Sequence, residues 1–357
     1  MYRLSWAKQS NSTFYRSMST VKVLRFGPIR YAQEAWQKLE QKPNVEVVES
    51  GASSREEFLK ELNDGKFKDV SIIARTFESV KQTGLLDKEL LALLKEKTSL
   101  KAISHNGAGY DQVDAVECGK LGIQVSNVPS IVDAATADTH IYLLLGALRN
   151  FQDSTLRLLQ GKWPTEKCAG TAVGHDPEGK VLGIYGMGGI GRAVRDRAKP
   201  FGFRKILYHN RNRLAPELEQ GAEYVSMDEL LRQSDVISIN IPLNSATRHS
   251  INKDTIAKMK DGVVIINTAR GPIVDENAIL PALKSGKVGA FGSDVFENEP
   301  HVNMELIRQP NMVSLPHMGT HTVETMKAME EFVVKNVETF VDQGKVLSIV
   351  PELKGKF

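Results

Sequence analysis

The sequence predicts an α/β protein made of two doubly wound parallel-sheet units in one chain. Three observations carry this reading. From Val21 onward, short apolar runs alternate with amphipathic helical stretches, the pattern that places helices on both faces of a parallel sheet. The alternation stops at Gly174-His175-Asp176-Pro177-Glu178-Gly179, a turn-rich stretch, and restarts at Val181. The length of 357 residues is too great for one ordinary core and suits two domains of ~100–200 residues each.

In the first unit, residues 21–26, 45–48, 70–74 and 100–104 read as strands, each rich in Val, Ile or Leu. Residues 31–39, 54–63 and 87–96 read as the helices between them, with Ser53 or Ser54 as the N-cap of the second. Residues 133–150 form one long apolar-periodic helix. In the second unit, Val181–Tyr185 is a strand, residues 190–201 a helix and Lys205–His209 the next strand. Further strands are expected at 236–240, Val263–Asn267, more weakly at 289–292, and briefly at 313–315. Val323–Gln343 is a long closing helix.

Composition excludes several classes. The net charge is only +3, from 46 basic and 43 acidic side chains, and no dense Lys/Arg cluster occurs, so no nucleic-acid partner is expected. Cys118 and Cys168 form no CxxC pair and no His cluster lies near them with metal spacing. Neither a disulfide framework nor a metal site is expected, and a reducing compartment fits. No apolar run reaches the ~20 residues of a membrane span; residues 141–148 are the longest candidate and read as a buried helix. The first twenty residues differ. Arg3, Lys8 and Arg16 are basic, Ser5, Ser10, Ser12, Ser17 and Ser19 recur, and no acid precedes Glu34. This is the composition of a mitochondrial transit peptide. Met18, as an internal start, would give a cytoplasmic form.

Gly186-Met187-Gly188-Gly189-Ile190-Gly191 matches GxGxxG, directly after an apolar strand and at the start of a helix. Gly186 allows the tight turn, Gly188 lets backbone approach a pyrophosphate, and Gly191 lets helix and strand pack closely. The helix N-terminus aims unpaired N–H groups at the phosphates. This is a dinucleotide site of Rossmann type. The next strand ends in His209-Asn210-Arg211 rather than in the acid that would hold the ribose 2′-hydroxyl of NAD. Asn210 does not repel a 2′-phosphate and Arg211 can pair with one, so NADP is expected to be preferred over NAD.

Further blocks follow in order: His105-Asn106-Gly107-Ala108-Gly109-Tyr110-Asp111, Asn267-Thr268-Ala269-Arg270-Gly271, Asp294-Val295-Phe296-Glu297-Asn298-Glu299-Pro300 and Leu315-Pro316-His317-Met318-Gly319-Thr320. With the glycine turn, they resemble the D-isomer-specific 2-hydroxyacid dehydrogenase family across roughly residues 21–351. The GALRNF, YHNR and LPHMGTHT stretches look most like its fungal glyoxylate reductases. The resemblance implies a flavodoxin-like substrate domain (21–132 and 319–357) with an inserted Rossmann domain (133–318), a cleft site between them, and a homodimer formed through the 133–150 helix region. It implies catalytic roles for Arg270, Glu299 and His317. Thr136, Pro242, Thr268, Ala269 and Asp294 become candidate cofactor contacts.

The chemistry agrees with those roles. Reducing a 2-keto acid needs an acid for the carbonyl oxygen, and histidine, with an unperturbed pKa of ~6.5, exchanges protons near neutrality. Glu299 would fix the His317 tautomer and favour the imidazolium. Arg270 offers a permanently charged fork for the substrate carboxylate, and the N–H groups of Ala108 and Gly109 would complete that receptor. Asp294 either contacts the nicotinamide or braces its turn. His105, His209 and His321 read as structural. The expected substrate is a small 2-keto acid such as glyoxylate or hydroxypyruvate. A reductase of larger 2-keto acids and a nucleotide-sensing corepressor of the same fold are the alternatives.

Overall fold

The computed structural model describes residues 20–357 and holds two parallel sheets. The first contains β1 (Val21–Arg25), β2 (Val45–Glu49), β3 (Val70–Thr76), β4 (Ala102–Asn106) and β5 (Gln124–Ser126), in the order β2-β1-β3-β4-β5. The second contains β6 (Val181–Tyr185), β7 (Lys205–His209), β8 (Glu223–Tyr224), β9 (Val236–Ile239), β10 (Val263–Asn267), β11 (Val288–Ser293) and β12 (Met312–Ser314), in the order β12-β11-β10-β9-β6-β7-β8. Each order reverses once, between β1 and β3 and between β6 and β9. Such reversals open a crevice beyond the carboxyl ends of the strands. Helices cover both faces, and β4, β9 and β10 are buried along their whole length. The doubly wound architecture read from the sequence is the one observed.

The differences are local. The 133–150 helix is Asp133–Arg149, because Asn150 turns left-handed (φ 54°, ψ 33°), and a second helix, Phe151–Leu159, then sets off in a new direction. Asparagine is among the few residues that tolerate this backbone. β5 and β8 had no apolar run to announce them; they exist because β4 and β7 offer a parallel edge. The helix Glu276–Ser285 was masked by Pro281 inside it. The transit-peptide reading of residues 1–20 falls, but for Thr20, outside the described residues. No helix among the described residues is long and apolar enough to cross a membrane.

The closing helix Val323–Gln343 returns from the second sheet to the first. Its Val333, Val334 and Val337 pack with Val23, Trp36, Ile72 and Ala102. Buried Glu330 accepts from the N–H groups of Tyr31 (2.8 Å), Ala32 (2.8 Å) and Arg30 (3.2 Å). Those donors open the Gln33–Glu40 helix, which has no side-chain cap of its own. A helix of the first unit is thus capped from 300 residues away.

Candidate active site

The nucleotide cradle forms where β6 and β7 end. Gly186 has φ +96°, and a Cβ there would lie 2.7 Å from Ile241 and 2.9 Å from the Asn240 carbonyl oxygen. A Cβ on Gly191 would lie 2.2 Å from the Gly186 oxygen, whereas one on Gly188 would meet open space. Two glycines therefore permit close backbone packing and the third leaves a free face. The Gly189–Ala198 helix behind it has no side-chain cap. These features fit a bound pyrophosphate. Asn210, directly after β7, accepts the Met187 N–H through Oδ1 (2.7 Å). Among the described residues nothing accepts from its Nδ2. Arg213 is tied to Glu219 (2.7 and 3.0 Å), while exposed Arg211 has no carboxylate partner among the described residues. Pro242 is exposed just past β9, two residues beyond the Asn240 backbone that crowds Gly186.

Arg270, Glu299 and His317 stand on loops leaving the carboxyl ends of β10, β11 and β12, the edge where ligands bind in this architecture. Buried Asn267 clamps the first loop, donating to the Arg270 carbonyl (3.0 Å) and accepting from the Ala269 N–H (3.0 Å). Buried Thr268 meets the His140 Nδ1 (2.9 Å). Burial drives that imidazole down to about 3, so it is neutral. Arg270 Nη1 donates to the Ala269 carbonyl (2.8 Å) and Nε donates to Asp111 Oδ1 (2.9 Å). Asp111 belongs to the loop after β4, so the two units meet at this arginine.

That loop carries Ala108 and Gly109. The Ala108 carbonyl accepts from Asn127 (2.7 Å) and the Gly109 carbonyl from His105 Nε2 (3.0 Å). Burial, then the Arg75 charge, lowers His105 to about 3, which makes it a neutral support under the loop. Nothing among the described residues accepts from the Ala108 and Gly109 N–H groups. A Cβ on Gly109 would stand 1.9 Å from Arg270 Nη2. Two unpaired N–H donors and a guanidinium therefore lie side by side, groups chemically suited to a carboxylate.

His317 Nδ1 pairs with Glu299 Oε2 at 2.6 Å, and Glu299 Oε1 accepts the Phe296 N–H (2.8 Å). Burial works to raise the Glu299 carboxyl, but the His317 hydrogen bond and charge, the Phe296 N–H and the Arg270 charge outweigh it; the net position is below the usual carboxylate range. His317 has φ +53°, rare for a side chain other than glycine. Asp294 holds this backbone. Its carbonyl accepts the His317 N–H (2.8 Å), and its carboxylate oxygens accept those of Met318 (2.7 Å) and Gly319 (2.8 Å). Thr136 lies beneath Gly319. Of the two roles open to Asp294, the structure displays the brace. Burial raises its carboxyl overall.

The structure thus gathers Arg270 with Ala108 and Gly109, pairs His317 with Glu299, and gathers the glycine turn with Asn210. Tyr110 turns away, its hydroxyl bonded to Glu352 (2.7 Å), and His209 is bonded to the Val225 carbonyl (2.9 Å). Sequence reasoning did not single out Asp111, Asn267 or His140. The first two sit inside the quoted blocks; His140 is one polar residue in an apolar helix. Behind the Arg270 loop, His249, Asp275 and Glu297 also cluster, but His249 pairs with Glu297, and Asp275 caps the Glu276–Ser285 helix through the Asn277 N–H (2.9 Å).

Comparison with known proteins agrees with this geometry. Residues 141–319 match the model of the D-isomer specific 2-hydroxyacid dehydrogenase NAD binding domain. The chain is 50% identical to glyoxylate reductase 1 of Saccharomyces cerevisiae, over 94% of this chain and 95% of that one. It is 49% identical to 4-methyl-2-oxopentanoate reductase A of Aspergillus oryzae, over 94% and 99% of the two chains. The crystal structure of a glyoxylate reductase from Paecilomyes thermophila superposes with a TM-score of 0.89 at 48% identity, covering 94% of this chain and all of that one. The chain belongs to the D-isomer-specific 2-hydroxyacid dehydrogenase family and is an NAD(P)-dependent oxidoreductase acting on the CH–OH group of 2-hydroxy acids.

Proposed function

We propose that the chain reduces glyoxylate or hydroxypyruvate to the 2-hydroxy acid and prefers NADPH. One observation carries the reading: the Arg270 guanidinium stands against Gly109, beside the unpaired Ala108 and Gly109 N–H groups, and its charge reaches the Glu299 that pairs with His317. Arg270 and the two N–H groups bind the substrate carboxylate. The remaining Arg270 donors polarise the keto oxygen. When bound, the reduced nicotinamide supplies a hydride to the carbonyl carbon. His317 gives its proton to the carbonyl oxygen, and Glu299, ionised across the neutral range, accepts at Nδ1 and holds the ring. Asp294 keeps the His317 backbone in its left-handed turn. Thr136, Pro242, Thr268 and Ala269 line the nucleotide side.

Preference for NADPH is supported by Arg211, the loop cation free of carboxylates, and by the Nδ2 of Asn210, which is available to a 2′-phosphate because Oδ1 is occupied. A homodimer is supported by the Phe151–Leu159 helix, which buries none of its residues, together with exposed Leu159 and Trp163; a second copy of the chain would cover this apolar face. The N-terminal composition supports a mitochondrial form, with a cytoplasmic one from Met18. A second reading, reduction of a branched 2-keto acid, is favoured by the Aspergillus relative. The test is consumption of NADPH and of NADH with glyoxylate, hydroxypyruvate and 4-methyl-2-oxopentanoate. Fastest turnover of the branched acid would replace the first reading, and no turnover of any would overturn both.

A further inference from the structure

Arg270 stands in the nucleotide-binding unit, yet the side chain that orients it comes from the other unit. Asp111 Oδ1 takes Nε, the one guanidinium nitrogen that a substrate held end-on by the two Nη groups does not use. Arg270 Nη1 spends one hydrogen on the Ala269 carbonyl, so that loop and Asp111 together define the plane of the fork. The Arg75 charge also reaches Asp111, without a hydrogen bond between the two. Arg75 is fully buried, donates to Ser79 (2.9 Å) and Gln112 (2.9 Å), and keeps a buried Nη1 without a partner. Burial lowers Arg75 to about 10, and the Asp111 charge works against that fall. The charged and titratable groups facing Asp111 are therefore Arg75 and neutral His105 from its own unit and Arg270 from across the cleft. Burial would raise the Asp111 carboxyl, but Arg270 and then its own N–H bring it below the ordinary range. With Arg270 beside it, it is an anion.

We propose that Asp111 is a positioning residue for Arg270: it locks the guanidinium plane across the cleft, so the substrate-carboxylate receptor is complete only when the two units are together. This rests on the reading of Arg270 as that receptor. An arginine free to sample its rotamers would have to lose that freedom when substrate binds. Two anchors remove it beforehand, as preorganised sites require.

The experiment is a double-mutant cycle on the whole protein with glyoxylate and NADPH, using Asp111→Ala, Asp111→Asn, Arg270→Lys and the Ala/Lys double variant. Asp111→Ala should raise the glyoxylate KM about tenfold or more and lower kcat. The NADPH Kd, followed by nicotinamide fluorescence, should stay within about twofold. Asp111→Asn, which still accepts from Nε, should recover part of the loss. In the Arg270→Lys background, where no Nε fork exists, Asp111→Ala should cost less than about twofold, because the two residues act as one unit. An equal loss in both backgrounds would overturn the proposal and assign Asp111 to the folding of its loop. An unchanged glyoxylate KM in Asp111→Ala would overturn it too. Wild-type kinetics in Arg270→Lys would instead overturn the reading of Arg270 itself.

Discussion

Replacing Gly109 with alanine separates catalysis from stability. The added Cβ would stand 1.9 Å from Arg270 Nη2 and 2.7 Å from Cζ, where real contacts stay beyond 3.0 Å. The guanidinium must retreat by about 1 Å, the shortfall between 1.9 and 3.0 Å. Gly109 has no positive φ, so the backbone accepts alanine, and the clashing atoms end a flexible side chain. Little stability should be lost. Catalysis should suffer, because one or two hydrogen bonds from a charged group to the substrate are worth ~1.5–3 kcal/mol each. At about 1.4 kcal/mol per tenfold, losing one lowers kcat/KM roughly 10- to 100-fold, and losing both lowers it further. The assay is steady-state NADPH consumption with glyoxylate, alongside thermal unfolding and NADPH binding. A kcat/KM within about threefold of wild type would refute the placement of substrate between Gly109 and Arg270. An equally large fall in unfolding temperature would show that the loss is one of folding.

Five further outcomes are expected. His317→Ala should lower kcat by ~10²-fold or more, the scale of losing a general acid, with NADPH Kd intact; wild-type turnover would remove His317 from the chemistry. Glu299→Gln should lower kcat about tenfold or more, since the carboxylate that orients the His317 ring through Nδ1 becomes an amide; unchanged turnover would show that Glu299 does not position His317. Because the folded-state Glu299 carboxyl lies below its ordinary value of 4.5, its contribution to stability is present above that pH and fades as acid takes the pH through the lowered value; Glu299→Gln should therefore flatten the acid limb of unfolding temperature against pH. Arg211→Ala should raise the KM for NADPH about tenfold, the loss of one phosphate contact, and leave that for NADH unchanged; an unaltered ratio would exclude Arg211 from cofactor choice. Residues 1–20 fused to a fluorescent protein should direct it to mitochondria, and a diffuse signal would count against a transit peptide.

Much of this was readable from the chain because the signals are local. The Val263–Asn267 strand is five buried residues in a row, and the glycine turn needs three glycines at fixed spacing for steric reasons that act within six residues. Arg270, Glu299 and His317 were readable by their blocks and order. Their partners were less so. Nothing near Asp111 says that it meets an arginine 159 positions on, and nothing near His140 names Thr268. Such pairs are made by the packing of units, which local periodicity does not encode. The reverse also holds: β8 is two residues long and exists only because β7 lies beside it.

The Glu330 cap bears on how the polypeptide is made. The strands of the first sheet emerge from the ribosome before the Val323–Gln343 segment, to which the carboxylate that closes the first helix and the valines that cover one face of the sheet belong. The nucleotide unit lies on one uninterrupted stretch between them and can mature while the rest is still being synthesised. The substrate unit cannot; until the Val323–Gln343 segment has been made, Trp36 and Ile72 lack their cover. A nascent chain therefore exposes that sheet face for longest, and this is the window in which a chaperone, or an import machinery that needs an unfolded chain, would find it.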